Sequence, residues 1–334
     1  MFDTHISLAH GNGGRLMKAL ITDIFARHLG NPLLDTRLDA APVPAPTGGE
    51  MVITTDGFTV QPLEFPGGDI GSLAVHGTIN DLAVAGADPW YLTVSAIIEE
   101  GLEWAVLDRL VASMAGASRA AGMVVVAGDT KVVPRGNGGG IYFTTTGVGL
   151  RPSGVMLGME RIRPGDALLV SGPVGDHGTA VLLARESFGL RGDVQSDSAS
   201  VLPLTRSVRQ LSGLRFMRDP TRGGLATVAH ELAHMTGLTV RLREHDLPVR
   251  DSVRAVCEIL GYDPLYLACE GRVVAVVAAD QADEVLRHWV DSGAEQSTLI
   301  GTLETGPARS LLETILGGER LLEELEEDPL PRIC

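Results

Sequence analysis

The chain has 334 residues, of which 44% are hydrophobic, and it carries a formal net charge of −15. This charge excludes nucleic acid and anionic membrane surfaces as partners, because their phosphates need basic contacts. No stretch reaches the roughly 20 apolar residues of a membrane span, and the length predicts two domains rather than one ordinary core.

The first half of the chain alternates between helical and strand patterns. It opens with MFDTHISLAHGNGG, which lacks the basic and apolar regions of a signal peptide and therefore predicts a cytoplasmic protein. Apolar spacing and turn residues then predict helices over 15–28, 71–86 and 103–121, and strands over 51–55, 91–98, 123–127 and 141–150. Gly128 is expected to end the strand over 123–127.

A second unit is predicted to begin near the turn Arg163-Pro164-Gly165-Asp166, before an apolar strand over 167–171. Strand and helix patterns mix through residue 303, which is typical of an α/β fold with mixed sheets. We therefore predict domains over 1–155 and 156–317. The remaining segment, 318–334, is acidic with two prolines, and we expect a mobile tail that reaches roughly 35 Å from Glu324 onward.

Three aspartates stand among small residues, after predicted strands or within a predicted helix: Asp56, Asp81 and Asp129. Mg²⁺ prefers a few carboxylates together with phosphate oxygens of a substrate, so aspartates that converge from different elements would suit it. Each aspartate taken alone is better explained as turn chemistry. Asp81 is the hardest to explain in that way, because it interrupts an apolar helical run and needs a partner.

Further positions point to phosphate chemistry, each with a simpler structural interpretation beside it. Lys131 follows the third aspartate by two residues and could neutralise a transferring phosphoryl group, or it could be solvated. Gly223 and Gly224 precede a predicted helix over 225–235 and could expose N–H groups to phosphate, or they could form an ordinary helix entry. Glu270 lies between two apolar segments predicted to be strands, and it is either a general base or an exposed strand-end residue.

The segment His230-Glu231-Leu232-Ala233-His234 matches the H-E-x-x-H motif of zinc hydrolases. On a helix, the two histidines would share one face and could bind zinc, with the glutamate as base. The extended motif would need a further histidine where the chain has Val240. Glu258 could be proposed as the third ligand, but it belongs to a separate helical pattern. A zinc-dependent hydrolase is therefore the alternative function.

The three cysteines do not predict a disulfide framework, because their number is odd and the expected compartment is reducing. Cys257 and Cys269 stand in apolar runs and are expected to be small core residues. Cys334 is the last residue, close to Arg332, whose charge would favour the thiolate. This thiol is either a carrier on a mobile terminus or a chance residue on a frayed end.

Several motifs occur together along the whole chain: His10-Gly11-Asn12-Gly13-Gly14, Phe65-Pro66-Gly67-Gly68, Asn80-Asp81-Leu82-Ala83, Gly128-Asp129-Thr130-Lys131-Val132-Val133, Gly175-Asp176-His177-Gly178, Asp219-Pro220-Thr221-Arg222-Gly223-Gly224 and Pro331-Arg332-Ile333-Cys334. In this combination the chain resembles the HypE family of hydrogenase maturation factors. That family belongs to the superfamily of aminoimidazole ribonucleotide synthetase and selenophosphate synthetase. The resemblance implies two PurM-like α/β domains, and a homodimer in which the N-terminal domains share a β-barrel.

The resemblance also implies an ATP-dependent dehydration on the C-terminal cysteine. A partner, HypF, would load the Cys334 thiol with a carbamoyl group, and dehydration of that S-carboxamide would leave a thiocyanate. Cyanide would then pass to iron held by the HypC–HypD complex, as a ligand of [NiFe] hydrogenase. The ATP is chemically necessary, because an amide oxygen leaves poorly until it carries phosphate.

Site residues follow from the resemblance position by position. It implies that Mg²⁺, and through it ATP, is bound by three aspartates: Asp56, Asp81 and Asp129. It implies that Lys131 and Glu270 lie near the thiocarboxamide, with Glu270 accepting the proton of its nitrogen, and that Gly223 and Gly224 approach phosphate. The resemblance assigns no role to Cys269, which leaves an incidental or regulatory thiol open there.

Overall fold

The computed structural model describes residues 4–185, 193–327, 330 and 333–334. The chain divides into two compact units. The first contains the described residues up to Leu82, the stretch Ala87–Pro152, and Cys334, and the second contains Ala83–Gly86 and the described part of Ser153–Ile333. The main division thus follows Pro152, where the sequence predicted a boundary after residue 155.

The first unit is built around a four-stranded sheet in the order β1-β6-β4-β5. Strand β4 is parallel to β5, and the other two pairs are antiparallel. Its strands and helices are α1 (Gly14–Leu20), continued by a π-helical turn (Ile21–Ala26) and α2 (Arg27–Leu29), then β1 (Gly49–Phe58), β2 (Glu64–Phe65), β3 (Gly68–Asp69), α3 (Ile70–Val84), β4 (Asp88–Glu99), α4 (Trp104–Ala121), β5 (Val124–Val133) and β6 (Ile141–Pro152).

The two faces of this sheet differ in what covers them. Helix α3 packs against one face, and α4 buries a stripe with helical spacing that contains Leu107, Leu110 and Met114. A Cβ atom at Gly71 would lie 2.0 Å from the carbonyl oxygen of Leu110, so the close approach of α3 to α4 requires glycine there. The opposite face of the sheet carries exposed apolar side chains on β1 and β4.

The prediction that Gly128 ends the strand over 123–127 is wrong. The strand continues to Val133, and β4 pairs with it along this whole stretch. A Cβ atom at position 128 would lie 2.7 Å from the carbonyl oxygen of Val94. Glycine here therefore permits close strand pairing instead of a turn, and Asp129 lies inside the strand.

The second unit contains a seven-stranded sheet in the order β13-β12-β9-β11-β7-β10-β8. Its pairs are antiparallel except for β12 with β9. The strands and α-helices are β7 (Ala167–Val170), α5 (Asp176–Arg185), α6 (Leu202–Val208), β8 (Leu214–Arg218), α7 (Gly224–Thr236), β9 (Thr239–Arg243), α8 (Asp251–Leu260), β10 (Val274–Val277), α9 (Ala282–Asp291), β11 (Thr298–Glu304), β12 (Arg309–Glu313) and β13 (Glu319–Leu321).

Two features of this unit differ from the sequence prediction. The segment before Glu270 is not a strand, since it contains a short 3₁₀ helix, Pro264–Tyr266, followed by irregular chain. The end of the sheet also extends further than expected, because β13 pairs with β12 and Leu322 is fully buried. The predicted tail therefore begins later than residue 318. Positions 328–329 and 331–332, which include Arg332, lie outside the described residues.

The core of the second unit forms where α7 packs on the sheet. Leu225, Val228 and Leu232 recur with helical spacing and are buried with Val240 and Val276 of the strands. In the part of the chain that the structure describes, no helix combines the length and the apolar character needed to cross a membrane.

Candidate functional site

Two of the three predicted aspartates lie at the same face of the first unit's sheet. The hydroxyl of Thr54 donates a hydrogen bond of 2.6 Å to Asp81 on α3, and Asp56 follows Thr54 by two residues on the same side of β1. Asp56 also pairs across the sheet with Thr145, whose hydroxyl lies 2.5 Å from that of Thr78 on α3. Asp56 and Asp81 therefore both lie where β1 meets α3.

Asp129 lies on the opposite face of this sheet. It pairs with Ser95 of β4, which pairs with Thr144 of β6. Because successive strand residues point to opposite faces, these residues face away from α3. Asp129 and Asp56 also lie on the two edge strands of the sheet, β5 and β1. These strands are three strand spacings apart, about 14 Å in total.

The structure thus brings together two of the three predicted metal ligands within one protomer. Among the residues it describes, no group of three or more His, Cys, Asp or Glu side chains is arranged to hold a metal ion. Asp129 instead forms an ion pair with Lys131, whose Nζ atom lies 3.1 Å from Oδ2, and both side chains are more than half exposed. Two carboxylates remain a sufficient protein contribution for Mg²⁺ when phosphate and water supply the other ligands.

A cavity of about 150 Å³ lies beside β5 in the first unit. Apolar side chains that include Ile21, Phe25 and Val125 form much of its lining, and Asp129 and Thr130 belong to the same lining. The Thr130 hydroxyl is buried without a hydrogen-bond partner among the described atoms. A mainly apolar cavity with a few polar groups is the usual character of a small-molecule site.

Cys334 is packed against the first unit. Only 9% of the residue is exposed. A terminal oxygen of Cys334 accepts hydrogen bonds from the backbone N–H of Thr59, at 3.1 Å, and from the Thr59 hydroxyl, at 3.2 Å. The structure therefore describes the last residue in a docked position with defined partners.

In the second unit, the turn that contains Gly223 and Gly224 leads directly into α7. Both glycines have positive φ angles, of 67° and 59°, which side-chain-bearing residues rarely adopt. A Cβ atom at Gly224 would also lie 2.6 Å from the carbonyl oxygens of Leu265 and Leu267. The backbone geometry therefore requires glycine at position 224 whether or not phosphate binds there.

Glu270 lies close to this turn and is only 2% exposed. The preceding residue, Cys269, donates its N–H to the carbonyl oxygen of Pro220 at 3.0 Å, which joins the two segments. The N–H groups of Glu270 and Gly271 both donate to Asp197, at 3.0 and 3.3 Å. The buried carboxylate of Asp197 therefore fixes the backbone that carries Glu270.

Charged residues continue from Asp197 into a buried network. Arg272 lies 3.4 Å from Asp197 and 3.3 Å from Asp176, and Arg250 donates to Asp176 at 3.0 Å. Burial raises the pKa of Asp176 above its ordinary value, against the opposing effect of its bond to Arg250. The arginines offset only part of the desolvation of Asp176, and through Asp197 they link the start of α5 to the chain around Glu270.

His177, in the first turn of α5, is fully buried. Its Nε2 atom lies 2.7 Å from the carbonyl oxygen of Ile333, and its Nδ1 atom lies 2.8 Å from the hydroxyl of Ser196. Burial lowers the pKa of this imidazole, which favours the neutral ring. The residue before the C-terminal cysteine thus contacts a histidine inside the second unit.

The two remaining cysteines are structural. Burial raises the pKa of Cys269 well above its usual range and that of Cys257 to about 11. Such groups remain thiols at neutral pH and react slowly. The Cys269 sulfur accepts the N–H of Gly175 at 3.2 Å, which gives this residue a packing role.

The structure does not assemble the alternative zinc site from the described residues. On α7, His230 is partly buried and His234 is exposed. Glu231, the base of the motif, forms an ion pair with Arg218 at 3.3 Å. The absence of a three-ligand group in the described chain leaves the zinc motif without support.

Several polar residues of these regions were not singled out from the sequence, namely Thr59, Asp197, Ser196, Arg250 and Arg272. They are far from their partners along the chain, and no local pattern marks them. His177 and Asp176 were present in a motif, Gly175-Asp176-His177-Gly178, but that motif was not assigned a role. His177 could have been noticed because it stands at the start of an apolar helix, where a buried polar ring needs hydrogen-bond partners.

Comparisons with known proteins follow the same division of the chain. The family described as AIR synthase related protein, N-terminal domain, matches residues 37–151, and the corresponding C-terminal domain family matches residues 163–311. Carbamoyl dehydratase HypE of Azotobacter vinelandii is 47% identical over 332 residues, which cover 98% of this chain and 97% of that protein.

Solved structures give the same relationship. A crystal structure of hydrogenase maturation protein HypE in complex with ATP has a TM-score of 0.93 at 43% identity, covering 98% of this chain and 99% of that one. A chain of a HypE–HypF complex has a TM-score of 0.80 at 40% identity, covering 92% and 100%. The matches extend over both domains, and the identity to the Azotobacter vinelandii protein is 47%. The chain therefore belongs to the HypE family of carbamoyl dehydratases, the hydrogenase maturation proteins with two PurM-like domains.

Proposed function

We propose that this carbamoyl dehydratase converts a carboxamide on the Cys334 sulfur to a thiocyanate at the expense of ATP. The observation that carries the proposal is the docked C-terminus, since a chance terminal residue would not be buried with its terminal oxygen held by two donors of Thr59. A thiol suits the task, because sulfur can carry the carbamoyl carbon and later release it as cyanide.

The atoms of the reaction balance with ATP as the second substrate. The carboxamide oxygen attacks the γ-phosphorus of ATP, and ADP leaves. The carbon–oxygen bond then breaks to release phosphate, while the nitrogen loses both of its protons and forms the triple bond to carbon. The net loss from the loaded tail is one water, whose oxygen leaves in the phosphate.

Protein groups are available for the proton and charge transfers. Glu270 is buried and its backbone is fixed by Asp197, which suits a general base that takes a proton from the carboxamide nitrogen. Lys131 is exposed beside Asp129 and would supply positive charge toward the transferring phosphoryl group. Gly223 and Gly224 would let phosphate approach the backbone at the start of α7, where the Gly224 N–H itself donates to the carbonyl oxygen of Thr221.

ATP binding is supported by the relative whose crystal structure contains ATP. Mg²⁺ would neutralise the phosphate charge of the bound nucleotide. Asp56 and Asp81, which share one face of the sheet, would hold it, and Asp129 would not join them within the same protomer.

The proposed partners follow the family. A relative has been crystallised as a HypE–HypF complex, and HypF would donate the carbamoyl group here. The HypC–HypD complex would accept the cyanide for hydrogenase iron. A homodimer is supported by the uncovered face of the first unit's sheet, where Met51, Ile53 and Ile97 are exposed.

Mass spectrometry of the C-terminal peptide tests the function. After incubation with HypF and its carbamoyl donor, we expect a carbamoyl adduct on Cys334 that loses one water only when ATP is present. Cys334→Ala should not be loaded, whereas Cys257→Ala, which removes a buried thiol, should load normally. An adduct whose mass is unchanged by ATP would refute the dehydration.

A further inference from the structure

The hydrogen bonds of His177 define one orientation of its ring. A peptide carbonyl can only accept, so Nε2 must carry the proton that is donated to Ile333 at 2.7 Å. In the neutral ring Nδ1 is then an acceptor, and it receives the hydroxyl proton of Ser196 at 2.8 Å. The Ser196 oxygen in turn accepts the N–H of Ser198 at 3.0 Å. Each donor in this chain of three bonds therefore has an acceptor.

This arrangement differs from that of a histidine that only fills a core. Its Nε2 bond is made to the last peptide carbonyl before Cys334, that of Ile333, which lies 156 positions away in the sequence. Ile333 and Leu330 are also buried, at 3% and 4% exposure. The described end of the tail is thus buried, and His177 supplies a directional bond one residue away from the thiol.

We propose that His177, oriented by Ser196, is the positioning residue that holds the C-terminal tail in its docked state for the dehydration step. The proposal rests on the proposed function in one respect, namely that the docked thiol carries the carboxamide. In this role His177 acts through the peptide carbonyl of Ile333. It fixes the backbone of Ile333, and because Cys334 is the next residue, it limits where the sulfur can lie.

Two substitutions separate the two ring nitrogens. In His177→Gln the side-chain amide can place an N–H close to the position of Nε2, so the bond to Ile333 can persist. In His177→Asn the shorter amide corresponds to Nδ1 and cannot reach that carbonyl. Loss of a buried hydrogen bond that leaves a carbonyl unpaired shifts an equilibrium by about 10-fold or more.

The first measurement is the rate at which iodoacetamide modifies Cys334 in the full-length, unloaded protein, followed on the C-terminal peptide. Cys257 and Cys269 are buried with raised pKa values and do not compete. We expect His177→Asn to raise the rate about 10-fold, and His177→Gln and the exposed control His245→Asn to stay near wild type. Equal rates in His177→Asn and wild type, or equally raised rates in the Asn and Gln variants, would overturn the proposal.

The second measurement is a single turnover of ATP-dependent dehydration after loading by HypF. In His177→Asn we expect normal loading and about 10-fold slower dehydration, with rescue in His177→Gln. If even the wild-type adduct does not lose water, the proposed function fails, whereas the iodoacetamide result still decides whether His177 holds the tail. If His177→Asn does not fold, Ser196→Ala keeps the proposal testable. It removes the hydroxyl that donates to Nδ1 and orients the ring, so it should raise the modification rate in a folded protein, and an unchanged rate would count against the proposal.

Discussion

Replacement of Gly224 by alanine tests the geometry of the turn that begins α7. Gly224 has a φ of +59°, and a Cβ atom there would lie 2.6 Å from two backbone carbonyl oxygens, those of Leu265 and Leu267. The positive φ alone costs about 1–2 kcal/mol for an alanine. The contact adds an overpacking cost of about 1–3 kcal/mol, because backbone atoms cannot rotate away as a side chain can.

The same helix provides a matched control at its other end. Gly237 has a φ of +70°, and a Cβ atom there would meet nothing within 4 Å. Gly237→Ala should therefore lose only the stability that the positive φ costs, without the cost of overpacking. In thermal unfolding followed by circular dichroism, the Tm of Gly224→Ala should fall several degrees further than that of Gly237→Ala, since about 1 kcal/mol corresponds to about 2–4 °C in a domain of this size. Equal Tm values for the two variants would refute the steric reasoning.

Three further results are expected. Glu270→Gln should load with carbamoyl normally but lose water at least 100-fold more slowly by mass spectrometry, because it cannot accept a proton, and a wild-type rate would exclude Glu270 as the base. Ile53→Glu should yield monomers by size-exclusion chromatography with light scattering, unlike the control Ile315→Glu in the second unit, and an intact Ile53→Glu dimer would place the interface elsewhere. Burial lowers the pKa of His76 to about 4, so its contribution to stability is present above about pH 6.5 and is lost as pH falls toward 4. His76→Gln should therefore reduce the loss of stability between pH 6.5 and 4 in urea titrations, and an unchanged pH dependence would contradict that assignment.

Local patterns predicted the elements whose stability comes from a periodic apolar stripe. Helix α4 was expected over 103–121 and spans Trp104–Ala121, because its buried residues recur with helical spacing. Strand β5 was shortened in the prediction, since Gly128 looked like a terminator when only its conformational freedom was considered. The structure shows that this glycine allows Val94 of the neighbouring strand to come close, which is a contact that the sequence of β5 cannot reveal.

The candidate site was predictable in its residue types and less so in its geometry. Asp56 and Asp129 both occur in small-residue motifs, but their separation depends on the order of the strands, and that order is set by pairing between distant segments. The docking of Cys334 on Thr59 joins residues 275 positions apart. Such contacts leave no periodic signal, so the sequence could identify the thiol as a candidate carrier but could not identify its partners.

The proposed carrier role requires a tail that is held and released, and the forces on this tail are suited to that exchange. Burial of Leu330 and Ile333 contributes about 1.5–3 kcal/mol for each side chain, and fixing the backbone of these two residues and Cys334 costs about 1–2 kcal/mol per residue. These two contributions nearly cancel. Hydrogen bonds of about 1 kcal/mol each, from Thr59 to Cys334 and from His177 to Ile333, then decide which state is populated. Under the proposed function, a tail bound by a larger apolar surface would be too stable to leave for loading, and one without directional bonds would not hold the thiol in place for the dehydration.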